Sequence, residues 1–249
     1  MEPDAARLAA FCKTINQPAR AEYDANGRLI KLDLAGKQLT QLPCEIAEFT
    51  ALEELHLGVH VADNGLRREA DIAYNRLTSL PGRIGELKDL RILHLGHNRL
   101  AELPASLAQL TQLEYLDLQA NPMPLLPPCV YELRNLRELD LTGLGLGSLA
   151  PAIGQLQHLH TLMLNRNRLV TLPEQFATLQ ALTLLNLSGN PLGSLPWVVT
   201  RLRQLRQLHL LKYVLPELEE NYGVGQNKHH IYDCYQHALK ALDYAVSKK

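Results

Sequence analysis

Leucine returns at positions 90, 113, 136, 159, 182 and 205, a stride of 23 residues without a slip. A fixed stride of this length excludes most globular architectures. Each unit is too short to bury its own apolar face, so neighbouring units must stack into a solenoid with one continuous core. Function must then reside on a surface built by repetition.

The units start at Leu29, Leu52, Leu90, Leu113, Leu136, Leu159, Leu182 and Leu205. Within them, paired leucines recur as Leu32/Leu34, Leu55/Leu57, Leu93/Leu95, Leu116/Leu118, Leu139/Leu141, Leu162/Leu164, Leu185/Leu187 and Leu208/Leu210. That alternation predicts a short strand with its leucines turned inward. Asn75, Asn98, Asn121, Asn167 and Asn190 follow, spaced so that each buried amide can bond the backbone of adjacent turns. Leu-Pro recurs at Leu42-Pro43, Leu80-Pro81, Leu103-Pro104, Leu126-Pro127, Leu172-Pro173 and Leu195-Pro196, and then come apolar pairs three residues apart, such as Ile84/Leu87. This predicts a short helix on the return path, opened by a proline that has no amide proton to lose.

The frame breaks between Leu52 and Leu90, where a unit runs 15 residues too long. One reading is a loop at about 58–73, carrying the turn signal Asp63-Asn64-Gly65; the other is a degenerate strand at Ala70-Asp71-Ile72. The loop is preferred, because 15 extra residues hardly suffice for a solenoid turn. A second irregularity lies in the unit from Leu136, where Leu144 replaces the ladder asparagine and Ala150-Pro151 replaces Leu-Pro.

At the N-terminus, Leu8, Phe11, Cys12 and Ile15 have helical spacing behind an Asp4 cap. Asn26-Gly27 then predicts a hairpin that adds a strand to the sheet edge. At the C-terminus, Ile231, Cys234, Tyr235, Ala238, Leu242 and Ala245 give an amphipathic helix. The expected organisation is a capping helix and hairpin strand over 1–28, repeats over 29–211 with the insertion, and a capping region over 212–249.

Apolar residues make up 46% of the chain and aromatics only 5%, so the core is aliphatic. Each fully buried leucine contributes about 1.5–3 kcal/mol, which suffices without metal or disulfide. A net charge of −1 gives no field that would gather DNA or an anionic membrane, so nucleic acid is not an expected partner. Cys12, Cys44, Cys129 and Cys234 are scattered without a C-x-x-C pair and read as free thiols. The first residues lack a secretory pattern, and no run of about 18 apolar residues could span a bilayer. A cytoplasmic setting is expected, with delivery into a host cell by a route that leaves no apolar signal kept open.

The unit running from Leu80-Pro81 through Leu100, L-P-x-x-I-x-x-L-x-x-L-x-x-L-x-L-x-x-N-x-L, resembles the 23-residue class of leucine-rich repeats found in Ras-group intracellular proteins and many bacterial proteins. The resemblance implies an α/β solenoid of about eight repeats, with a parallel sheet on the concave face, short helices on the convex face and helical caps at both ends. It also implies a protein-binding module without catalytic residues.

Between the buried leucines, alternate side chains face the open side of the sheet. The middle row is Asp33, His56, His94, Asp117, Asp140, Met163, Asn186 and His209. Tyr115, Ile92 and Glu138 stand beside it, Gln119, Thr142 and Asn165 on the other side, and His97 and Arg166 at the rim. An aromatic anchor among ordered charges suits a hot spot, so the expected protein-binding face comprises Asp33, His56, His94, Tyr115, Asp117, Glu138, Asp140, Met163, Asn165, Arg166 and Asn186.

Other chemistry is less well supported by the pattern. His94 beside Asp117, with His56 near, suggests an acid–base or metal pair, but an open sheet is wet and such a pair is common on surfaces. His230, Cys234 and His237 share a helix face without a fourth zinc ligand, and Cys234 belongs to the apolar stripe. Gly143-x-Gly145-x-Gly147 lacks the Gly-Lys-Ser/Thr of a phosphate loop and reads as a repeat turn. Arg201, Arg203, Arg206 and Lys212 read as a solvated basic edge. No cofactor, metal or small-molecule substrate is expected, and the chain is expected to be monomeric and non-enzymatic. The alternatives are a targeting subunit of a kinase, GTPase or ubiquitin-ligase system, an effector delivered into host cells, or a self-associating scaffold.

Overall fold

The computed structural model describes residues 3–58 and 74–210. The remainder of the extra segment, with its alternative strand at residues 70–72, lies outside the described residues. So does everything from 211 onward, including the expected closing helix, Lys212, His230, Cys234 and His237.

Among the described residues nine strands form one sheet in chain order: β1 (Arg20–Tyr23), β2 (Leu29–Asp33), β3 (Glu54–His56), β4 (Ile92–His94), β5 (Tyr115–Asp117), β6 (Glu138–Asp140), β7 (Thr161–Met163), β8 (Leu184–Asn186) and β9 (Gln207–His209). From β2 to β9 the strands are parallel and matched residue for residue, so Leu32, Leu55, Leu93, Leu116, Leu139, Leu162, Leu185 and Leu208 form one row. These leucines are buried, and they set the register because a slip of one residue would turn the row outward.

The return paths carry the short helices expected of them, in the form of 3-10 turns at Cys44–Glu48, Gly82–Glu86, Ala105–Gln109, Pro151–Gln155, Glu174–Thr178 and Trp197–Arg201. Of the described return paths, the one at Pro128–Tyr131 makes an α-turn instead. The reason for the 3-10 form lies in the apolar spacing. A 3-10 helix has three residues per turn, so pairs such as Ile84/Leu87 and Phe176/Leu179 eclipse and both face the core. Most of the prolines sit one place earlier than expected, in extended conformation just before the turn, as Pro81 does at φ −64° and ψ 142°.

Between sheet and turns runs the asparagine ladder. Asn98 donates from Nδ2 to the Leu95 and Leu57 carbonyls at 2.9 and 3.2 Å, and its Oδ1 accepts the Leu77 amide at 3.0 Å. Asn75, Asn121, Asn167 and Asn190 repeat the pattern. From Asn98 onward the backbone just before each ladder position is left-handed, at His97, Ala120, Gly143, Arg166 and Gly189. Gly143 is thus a turn residue in a column that runs from His97 to Gly189.

β3 and β4 pair directly, Leu55 beside Leu93, although 38 residues separate them. Asn75 bonds both Leu34 and Leu57 carbonyls at 2.8 Å, so the ladder resumes after the extra segment. The chain leaves the sheet at Gly58, whose amide shares the His94 carbonyl with that of Leu57.

At the N-terminus, α1 (Asp4–Thr14) buries Leu8 and Phe11, and the Phe11 ring meets Phe49 edge-on at 5.9 Å. Asp4 does not cap α1; the capping position is Pro3, and the Asp4 carboxylate instead accepts the Leu29 amide at 2.7 Å. It ties the helix to the start of β2. β1 runs antiparallel to β2 through a turn in which Asp24 Oδ1 accepts the Asn26 and Arg28 amides at 2.9 Å and Gly27 takes φ +74°.

Candidate functional site

The strand positions between the buried leucines present their side chains on the inner face, as the alternation requires. The central row, however, is less open than expected. Asp33, Asp117, Asp140 and Asn186 each use Oδ1 to accept the amide two residues ahead, at 2.8–3.0 Å, from Ala35, Gln119, Thr142 and Ser188. These short polar residues hold the strand-to-turn corner, which gives them a structural reason to recur.

Asp117 is the largest correction. It is fully buried, at 0% exposure, and His94 is nearly so, at 7%. The Asp117 Oδ2 lies 3.6 Å from His94 Nδ1 and 3.4 Å from Gln119 Nε2. The pair is therefore an interior one, and neither partner is an open surface charge. Room for it comes from Gly96, where a Cβ would lie 2.7 Å from Asp117 Oδ2. Asp117→Asn keeps the Oδ1 acceptor but removes the charge facing His94; it is expected to lower stability by about 1–2 kcal/mol in urea denaturation.

Three rings line up across neighbouring strands. His56 stacks on His94 at 4.5 Å with planes 21° apart, and His94 meets Tyr115 at 4.6 Å and 44°. His56 Nε2 lies 3.3 Å from Glu54 Oε2, and Lys31 reaches the same oxygen at 3.1 Å. Burial, helped by repulsion from His94, pushes the His56 imidazole below its ordinary value despite Glu54. Burial likewise pushes the Tyr115 phenol up, reinforced by the carboxylates of Asp117, Asp140 and Glu138.

The sign for His56 is that of a base whose folded pKa is depressed. The unfolded chain binds the proton more readily, so stability present at neutral pH is lost as pH falls below about 6.5 toward the lower folded value. Melting temperature is expected to drop over that window, and His56→Gln should flatten the drop. A profile left unchanged by the replacement would contradict this assignment.

The rest of the expected face divides. Glu138 is exposed, and Met163 and Asn186 continue the row half-buried. Asn165 accepts the Thr142 hydroxyl at 2.9 Å. Arg166 sits in the left-handed turn column at φ +57°, exposed at the rim. Asp33 lies on β2 beside His56, its register partner, at the end of the ring file. The sequence reading passed over Tyr74, which stacks on His97 at 4.8 Å. Its position just before ladder residue Asn75 was the available signal. Among the described residues no three His, Cys, Asp or Glu side chains are grouped to hold a metal, and no helix is long and apolar enough to cross a membrane.

The sheet, the ladder and the turns find their counterpart among known proteins. A family model described as leucine rich repeat matches residues 69–123 and 134–192. The solved structure of a Leptospira interrogans leucine-rich repeat protein is 35% identical over 71% of this chain and 41% of that one, with a TM-score of 0.63. The chain is a leucine-rich repeat protein. The leucine-rich ectodomain of the Arabidopsis thaliana receptor kinase GASSHO1/SCHENGEN3, solved in complex with CASPARIAN STRIP INTEGRITY FACTOR 2, is also similar: 26% identity, 80% of this chain, 23% of that one, TM-score 0.62. A TDR receptor is 30% identical over 68% of this chain and 28% of that one, with a TM-score of 0.55. This leucine-rich repeat protein therefore spans less than half the length of each of these structures. No curated protein matches it.

Proposed function

We propose that the chain is a protein-binding module that holds its partner on the inner face of the sheet, between β4 and β8, and performs no chemistry itself. The observation that carries this reading is a run of half-exposed apolar side chains, Ile92, Tyr115, Met163 and Leu184, on a face that a merely solvated sheet would fill with polar residues. Tyr115 is packed against the tilted His94 ring, which limits its rotamer freedom and suits an anchor. The leucine-rich repeat fold is a common protein–protein interaction module, and the GASSHO1/SCHENGEN3 structure is itself a complex. His56, His94 and Asp117 are packed against one another rather than around a cavity, which supports a structural role for them. Free thiols at Cys12, Cys44 and Cys129, with Cys44 exposed, support a reducing compartment.

Met163→Arg combined with Leu184→Arg places two charges on the face without touching the buried row. Capture followed by titration of the captured protein should show binding weakened by about tenfold or more, roughly 1.4 kcal/mol, with melting temperature unchanged. Undiminished affinity would move the contact to another surface.

A further inference from the structure

We propose that the inner face between β5 and β7 receives an arginine of an extended partner segment, its guanidinium against Glu138 and its stem across Tyr115 and Met163. This rests on the protein-binding reading above and adds the chemistry of what is bound.

Charge complementarity argues for it. Two glutamates on and beside the face, Glu54 and Glu114, are already answered within the chain. Glu54 is met by Lys31 at 3.1 Å and His56 at 3.3 Å, and Glu114 by Arg137 at 3.1 Å and Arg91 at 3.4 Å. Glu138 is different: it is exposed and makes no ion pair among the described residues. From β4 to β8 no inner-face strand position carries Lys or Arg, while Glu138 and Asp140 stand two residues apart on β6. The carboxylate field that disfavours a phenolate at Tyr115 is the same field that would favour a cation beside it.

Geometry narrows the cation to arginine. Glu138 is the register partner of Tyr115, and Met163 that of Asp140, so an aromatic ring, two carboxylates and a thioether occupy three adjacent strands. Adjacent strands lie about 4.8 Å apart, within the reach of one long side chain. His94 packs against Tyr115 from the β4 side and fixes the ring, while Glu138 is its register neighbour on the β6 side. A guanidinium is planar, sheds water more readily than an ammonium, stacks on tyrosine and forks onto a carboxylate. A lysine would offer only a compact, strongly hydrated charge.

The test uses the purified full chain and labelled peptides of about ten residues, alike in Leu and Thr content and differing at one central position, Arg, Lys, Gln or Glu. In fluorescence polarisation the Arg peptide should bind about tenfold tighter than the Gln peptide, with Lys between and Glu weakest. Glu138→Gln should remove that tenfold preference and leave the Gln peptide unaffected, and raising salt from about 0.05 to about 0.5 M should narrow the preference. An Arg peptide no tighter than Gln, or a preference that survives Glu138→Gln, overturns the arginine site. Peptide binding that ignores the central residue yet vanishes with Met163→Arg/Leu184→Arg overturns this inference alone. Binding that survives both the pair and Glu138→Gln counts against the inner face altogether.

Discussion

Asn167→Ala is expected to cost about 4 kcal/mol of stability, roughly twice the loss from Asn98→Ala, although both amides occupy the same column. The difference follows from who else serves each carbonyl. Remove Asn98, and Leu57 keeps the Asn75 amide at 2.8 Å while Leu95 keeps that of Asn121 at 3.0 Å; the Leu77 amide loses its acceptor, and a long 3.4 Å bond to the Gly96 carbonyl goes, as its counterpart does at Asn167. Remove Asn167, and Leu141 loses its one ladder donor, at 2.8 Å, because the residue that should supply a second is Leu144. The Gly145 and Leu146 amides, at 2.9 and 3.0 Å, lose their acceptor as well. Each stranded buried group costs about 1–3 kcal/mol, so the Leu141 carbonyl and the Leu146 amide, with the part-buried Gly145 amide beside them, outweigh the one amide of Leu77. Urea unfolding of the two variants, read by circular dichroism and amide exchange, measures the contrast; equal losses would show that the ladder shares its load in some other way.

The same redundancy explains why Leu144 is tolerated. Every ladder amide donates both to its own unit and to the preceding one, so a single gap leaves each neighbouring carbonyl with one donor. The amide that lacks an acceptor, that of Met123, turns to the Asn121 and Leu144 carbonyls at 2.9 and 3.2 Å. Two adjacent gaps would leave a carbonyl with none.

This is also where sequence reading was strongest. The leucine stride and the asparagine column are one-dimensional patterns, and stacking translates them directly into rows of a sheet and a ladder. The 3-10 character of the return turns was present in the spacing of three between Ile84 and Leu87, which fits a threefold helix better than a 3.6-residue one. Asp4 was less legible, because its carboxylate serves an amide 25 residues away, and such a partner leaves no local signature.

The inner face was half legible. Alternation placed Tyr115 and Glu138 on it, next to each other in register. It also placed Asp117 there, yet alternation says only toward which side a side chain points and nothing of how deeply it sinks. Depth at that point depends on Gly96, two strand positions beyond His94, and on the His94 ring lying between those of His56 and Tyr115. A paired substitution of Tyr115 and Asp117 would therefore confuse a lost contact with a disturbed interior. Glu138 and Met163 probe the surface more cleanly.

Gly58→Ala is expected to destabilise the chain by about 3 kcal/mol, more than any other glycine-to-alanine change on the inner face. A Cβ at Gly58 would fall onto the backbone nitrogen and oxygen of Gly96, which cannot rotate away as a side chain would. At Gly96 the obstacle is instead the Asp117 carboxylate, which can tilt at the expense of its bond to the Gln119 amide, so Gly96→Ala should cost about 2 kcal/mol. Gly58 must approach this closely because the chain leaves the sheet there, its amide and that of Leu57 converging on one His94 carbonyl. Pushing that corner outward would also separate the His56 and His94 rings that lead up to Tyr115, so Gly58→Ala should weaken partner binding as well as stability. Thermal melts rank the two glycines, and a Gly58→Ala chain as stable as wild type would mean that β3 and β4 part more easily than their packing implies.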